Sequence, residues 1–186
     1  MCLRELRRIR RHLSKSVATT VANAMISSRL DYCNSLFRSL SRRDSHKLQC
    51  LQNSAARIVT NTIRTPHITP ALKSLHWLPV KYRSIFKTLT LVYKYLHTGL
   101  PKYFGPSLST NTCPINTRRS NPDNLYLNQP PFKSKIHKST VHFKNSFSFD
   151  GPSLWNHLPY SISSYSSLNI FRKRLKSYLF NKAYPP

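Results

Sequence analysis

Acidic residues are almost missing from this chain of 186 residues, in which Glu5, Asp31, Asp44, Asp123 and Asp150 are the five carboxylates. That shortage excludes much chemistry. Phosphoryl-transfer and nuclease centres gather two or more carboxylates around metal ions, because such ions need hard oxygen ligands and charge balance. Asp31 and Asp44 can meet across two helices, but no third carboxylate has a reason to join them. Long apolar runs are missing too. Basic side chains break every hydrophobic stretch well short of the roughly 20 residues that cross a bilayer, so neither a transmembrane helix nor a membrane partner is expected. The start, MCLRELRRIRRHL, is too charged for a secretory signal. Paired cysteines are the third lack: Cys2, Cys33, Cys50 and Cys113 are scattered, with no Cys-x-x-Cys, and His137 and His142 have no cysteine near them in sequence. Reduced thiols are expected, with no metal and no cofactor.

What is present is positive charge. Thirty lysines and arginines leave a formal net charge of +25. Such an excess repels itself in a compact state and is tolerable beside a polyanion, which makes RNA or DNA the expected partner. Residence is then nuclear or cytoplasmic, with RRIRR serving for nuclear import; the arginine-rich, acid-poor start also fits a mitochondrial presequence as the alternative. Hydrophobic residues make up 39% of the chain, with ten tyrosines and nine phenylalanines. That is enough to bury a core, in one domain or in a helical domain with an appended module.

Apolar periodicity predicts a mainly α protein. From Ser16, the residues Val17, Val21, Met25, Tyr32 and Leu36 recur at helical intervals, giving one long amphipathic helix with Tyr32 and Leu36 inside. Ser41 or Asp44 caps the next helix, whose stripe is Leu48, Leu51, Ala55, Ile58 and Thr62. A short helix near Pro70–Leu75 precedes a stop at Leu78-Pro79. A longer helix then ends before Gly99 and buries Tyr82, Ile85, Phe86, Leu89, Val92, Tyr93 and Leu96. Between Gly105 and Lys138 the composition turns to Ser, Asn, Thr and Pro, an irregular arm. Thr140–Phe149 alternates as a short strand, a helical turn or two comes after it at DGPSLWNHLP, and Asn169–Lys182 closes the chain as a helix with Phe171, Leu175, Tyr178 and Leu179 inside. The expected division is a helical bundle over 3–104, an arm over 105–138 and a small module of strand plus helices over 139–182.

The densest cluster of chemical groups is SRLDYCNSLF, residues 28–37. With no acids to assist it, the stretch is expected to brace a helix end, Asp31 pairing with a basic neighbour such as Arg29 or Arg38. A nucleophilic pair of Cys33 or Cys50 with His46 or His76 lacks any local signature, so no catalytic residue is assigned. Basic residues outside the apolar stripes are the candidates for phosphate contact. They are Arg43, Lys47 and Arg57 on the second helix, Lys81, Arg83, Lys87 and Lys94 on the third, and Arg172, Lys173 and Lys176 on the last.

Several ordered blocks carry a resemblance: SRLDYCNSLF, KLQCLQNSAARIVT, HITPALKSLHWLPVKYRSIFKTLTLVYKYLHTGLPKYF, PSLWNHLP and SLNIFRKRLKSYLF. From near Leu3 to near Phe180, and most weakly across the arm, the chain resembles the carboxyl-terminal part of the reverse transcriptase polyproteins of LINE-type, non-LTR retrotransposons, in the branch of the chicken-repeat elements. The resemblance implies the thumb and tail that come after the polymerase palm, a helical element gripping a template–primer duplex or element RNA. The palm's Tyr/Phe-Ala-Asp-Asp run, the endonuclease and any zinc knuckle are absent from the chain. It thus looks like the product of a truncated element copy, a transposable-element remnant that binds without catalysing, with a complete element reverse transcriptase as a further partner. Two other readings stand beside this one: a product with no function, and an imported mitochondrial RNA-binding structural protein.

Overall fold

A computed structural model describes residues 2–62, 67–109, 127–129 and 146–185, and the protein is mainly α-helical. Helix α1 spans Cys2–Ile9 and runs into a 3-10 turn, Arg10–His12. Helix α2, Lys15–Ala22, continues through a π turn, Asn23–Ser27, into α3, Ser28–Asp31. Further along are α4 (Arg42–Thr60), α5 (Thr69–Ser74), α6 (Val80–Thr98), α7 (Phe147–Asn156), α8 (Tyr160–Ser163) and α9 (Leu168–Ala183). Two compact units divide the chain, Met1–Ser84 with Phe180–Pro186, and Ile85–Leu179. Helices α6 and α9 each have residues in both units. Among the described residues no helix is long and apolar enough to cross a membrane.

In the first unit the core is rich in alanine: Ala18, Ala22, Ala55 and Ala56 are fully buried, with Leu6, Ile26, Leu30, Ile58, Val59 and Leu72 beside them. Small side chains let α2 lie close against α4. The inward row of α2 and α3 is Ala18, Ala22, Ile26 and Leu30, spaced by four. An α-helix turns about 100° per residue, so each four-residue step overshoots a full turn by about 40°. Unrelieved, three such steps would wind the row out of the core. The π turn takes up about one extra residue with its i→i+5 bonds and returns Ile26 and Leu30 to the line.

This register corrects the expected one. Tyr32 is 77% exposed and Leu36 67%, since the helix stops at Asp31, Tyr32 turns extended and Cys33 adopts a left-handed φ of 49°. The chain then enters a 3-10 helix, Asn34–Ser39. On α4 the buried stripe is rotated by about one residue, to Gln52, Ala55, Ala56, Ile58 and Val59, while Leu51 is 41% exposed and Thr62 lies beyond the helix. Ser41 is the cap, its hydroxyl oxygen accepting from the Asp44 amide at 3.1 Å. Gln52 is inside because its amide has work there: Nε2 donates to the Leu78 carbonyl at 2.8 Å, and Gln49 Oε1 accepts from the Val80 amide at 2.9 Å.

The chain's carboxyl end closes this unit. Tyr184, buried, donates its hydroxyl to the Trp77 carbonyl at 2.8 Å, Phe180 meets its ring at 4.9 Å, and Lys73 Nζ lies 6.0 Å from its centroid.

The second unit is organised around Tyr93. Its ring stacks on Phe171 at 4.1 Å and on His97 at 3.9 Å, and Trp155 lies at 6.5 Å. Its hydroxyl donates to the Tyr165 carbonyl at 2.7 Å. Here α6 buries Leu89, Val92 and Tyr93 as expected, but Ile85, Phe86 and Leu96 are only half-buried and Thr88 is inside. The expected strand is corrected over the part described, for Phe147 and Phe149 stand in the first turn of α7. Residues buried along α7 are Asp150, Gly151, Pro152 and Trp155, a helical spacing that the alternation of phenylalanines obscured; 140–145 lie outside the described residues. Of the arm, Gly105–Ser107 belong to a 3-10 helix. Leu127 is pinned by one amide, Asn156 Oδ1 accepting its N–H at 3.0 Å and Nδ2 donating to its carbonyl at 2.9 Å.

Truncating Ile26 to Ala should cost about 2–5 kcal/mol, as deletion of a buried branched side chain does, whereas Tyr32→Ala should stay within about 0.5 kcal/mol. Urea denaturation of the two variants measures both. A second expectation concerns pH. Burial pushes the Tyr184 phenol from 10.0 up to about 12, so the folded state holds that proton more tightly. The contribution is fully present below pH 10 and is lost as pH rises through 12. Stability measured across that interval should fall less steeply in Tyr184→Phe than in the parent chain.

Candidate nucleic-acid interface

On α4, Arg43, Lys47 and Arg57 fall within one arc of the outer face, opposite Gln52. Arg43 is exposed, and Arg57 is half-buried with interactions of its own. Lys47 Nζ reaches Asp44 Oδ1 at 2.9 Å with both side chains solvated. Hydrogen bonds from Lys47 and Ser41 hold the Asp44 carboxyl below its usual range. Exposed pairs of this kind are held loosely, so the Lys47 ammonium stays within reach of a stronger anion.

Lys81 is exposed in the first turn of α6. Arg83 is not a free cation: its Nε donates to Asp31 Oδ1 at 2.8 Å and Nη2 to Oδ2, and its side chain is only 14% exposed. This fork of two parallel bonds is the strong form of arginine–carboxylate pairing. Asp31 is thus held by an arginine 52 positions away, where a neighbour such as Arg29 or Arg38 was expected. The same carboxylate accepts from Asn34 Nδ2 at 3.3 Å, and together the two bonds fix the turn that ends α3. SRLDYCNSLF therefore braces a helix end.

The second unit holds the other candidates. Lys87 and Lys94, two turns apart, share the exposed side of α6, and Arg172, Lys173 and Lys176 are exposed on α9. Neither helix contains any acidic residue. The carboxylates of the protein are spent elsewhere: Asp31 on Arg83, Asp44 on Lys47, Glu5 at 4.0 Å from Arg8, and Asp150 buried. Asp123 lies outside the described residues. Two aromatic rings stand in solvent and suit base stacking, Tyr32 at 77% and Tyr103 at 74% exposed.

One thiol–imidazole pair does form. Cys50 Sγ lies 3.5 Å from His46 Nδ1, one turn apart on α4. Both are exposed or nearly so, and among the described residues the ring has no third group to orient it as a nucleophilic pair requires. Among the described residues no three His, Cys, Asp or Glu side chains are grouped to hold a metal ion.

Periodicity did not single out Arg10, which lies half-buried past the end of α1. Its Nε donates to the Ile58 and Val59 carbonyls at 3.1 and 3.0 Å, Nη2 to Val59 at 2.9 Å and Nη1 to Leu13 at 2.7 Å. It bonds two carbonyls at the end of α4, a place where cations are favoured, and shares that of Ile58 with the Asn61 amide at 3.3 Å. Read as an import signal, RRIRR concealed this role; the signal that would have shown it is the i, i+3, i+4 placing of Arg7, Arg10 and Arg11.

No family model, curated protein or solved structure matches the chain.

The division between bracing and solvated cations makes a measurable difference. Arg83→Ala and Asp31→Ala should each lower stability, with a coupling of about 1 kcal/mol in a double-mutant cycle. Lys87→Ala and Lys94→Ala should leave the denaturation midpoint unchanged.

Proposed function

We propose that this chain binds the phosphate backbone of nucleic acid without catalysis, as a thumb-and-tail fragment related to the reverse transcriptases of LINE-type retrotransposons. The observation that carries the reading is charge placement. The outward faces of α6 and α9 present Lys87, Lys94, Arg172, Lys173 and Lys176 on helices that contain no acid. Nothing on those helices neutralises the cations, and phosphates are the partner that does so at a spacing no single anion covers. Arg43 and Lys47 on α4, with Lys81 at the start of α6, add the same chemistry on the first unit; Arg83 contributes to the fold instead. The ordered sequence blocks support the family, and the engaged carboxylates support the lack of a metal-dependent centre.

Backbone contact of this kind releases counterions, so log affinity for a duplex should fall linearly with log salt, by about 0.9 for each phosphate neutralised. Base sequence should matter little. Removing Lys87 and Lys94 together should reduce the slope by about 2, and primer extension and nicking with Mg²⁺ or Mn²⁺ should remain at background. Affinity that does not change with salt would refute the binding, and extension abolished by Asp31→Asn would refute the absence of catalysis.

A further inference from the structure

Arg7, Arg10 and Arg11 converge on a recess of about 280 Å³ whose other walls, among the described residues, are Ile58 and Asn61. No carboxylate is among those lining residues. Arg7 is exposed and, among the described residues, has no partner; Arg11 uses Nε on His12 Nε2 at 2.9 Å, which leaves the outer edge of its guanidinium unused. Arg10 is held by its four bonds to backbone carbonyls. A guanidinium carries five N–H donors, and those bonds engage the Nε–H and one N–H of each terminal nitrogen. One N–H on Nη1 and one on Nη2 stay available from a group that is held in place.

Three like charges gathered at one recess repel one another, and an anion between them reverses the sign of that interaction. The end of α4 would oppose an anion with its free carbonyls. Here Arg10 already occupies those of Ile58 and Val59. Apolar ligands need apolar walls, and Ile58 alone offers one. Planar guanidinium forks match the paired oxygens of a phosphate, and a preorganised fork loses little freedom on binding it.

We infer that the Arg7–Arg10–Arg11 recess is a phosphate-binding site. It rests on the proposed function only for the source of that phosphate, since none of its residues belongs to the faces of α4, α6 or α9 assigned there. Phosphate chemistry comes from free phosphate, from a 5′-terminal phosphate or from a backbone phosphodiester, and the test separates the three.

The experiment titrates the full chain with pyrophosphate, monitoring backbone amides by NMR, beside the exposed-site variant Arg7→Gln/Arg11→Gln. Arg10 is left intact because it caps α4. Saturable shifts confined to Arg7, Arg10, Arg11 and Asn61, with affinity at least about tenfold weaker in the variant, are the expected result. Shifts spread evenly over every basic helix, or equal affinity in a variant that melts like the parent, would overturn the site. Decanucleotides with and without a 5′-phosphate complete it. Preference for the phosphorylated strand, lost in the variant, assigns a terminal phosphate; equal binding that weakens in the variant assigns the backbone. If the variant changes pyrophosphate binding alone, the ligand is free phosphate. Failure of the proposed function reads differently: pyrophosphate would still bind the recess while duplex did not bind at all.

Discussion

Residues 77–80 are a largely buried strap between α5 and α6, and three of its backbone polar groups are held by side chains. The Trp77 carbonyl takes the Tyr184 hydroxyl, the Leu78 carbonyl takes Gln52, and the Val80 amide gives to Gln49. Pro79 between them has no N–H to satisfy. A buried backbone group without a partner costs as much as a lost hydrogen bond, so the two glutamines that α4 turns toward this strap, with Tyr184, keep it inside. Gln49 Nε2 also donates to Gln52 Oε1 at 3.1 Å, which locks the pair against each other. The start of α6 is set by that clamp, and the place of Arg83, three residues on, is set by the start of α6.

The same clamp explains the register of α4, and with it the limit of what the sequence made readable. Hydrophobicity alone ranked Leu51 above Gln52, and the stripe drawn through the leucines missed by one residue. The buried glutamine is decided by a carbonyl 26 positions away, which no local pattern contains. Asp31 is the same case, its partner being set by where α6 begins. Tyr32 failed for a different reason. The four-residue row of Ala18, Ala22, Ile26 and Leu30 needs a π turn to stay in line, and a period of 3.6 residues points instead to Val17 and Tyr32. Where packing is local and apolar the reading held: α5, the end of α6 before Gly99, and the Phe171, Leu175 and Leu179 row of α9 lie where periodicity put them. Of the candidate interface, Lys87, Lys94, Arg172, Lys173 and Lys176 were readable as outward, because amphipathic helices without acids leave cations nowhere else to go. Arg83 was not.

The use of the few acids shows a consistent pattern. Asp44 works at the cap of α4 with Ser41, and Asp31 at the end of α3 with Arg83. Asp150 sits inside α7, and Glu5 beside Arg8 on α1. Each of these four serves a helix, and among the described residues no three His, Cys, Asp or Glu side chains gather to hold a metal ion. A divalent ion needs several oxygens converging at about 2–2.6 Å, whereas Asp31 and Asp44 are each engaged by a cation of their own.

The arginines divide along the same line. Arg83 and Arg10 are turned inward, one to a carboxylate and one to the carbonyls of α4, and each joins elements far apart in sequence. Guanidinium suits this role because its donors reach two acceptors at once and it stays charged when partly buried. Lysine, a strongly hydrated point charge, stays outside on α6 at positions 81, 87 and 94. Arg10 is where the two uses meet, since a group fixed by backbone carbonyls keeps one unused N–H on each terminal nitrogen. For that reason the charge of Arg10 is fixed in place, while the lysines on α6 carry theirs on exposed side chains.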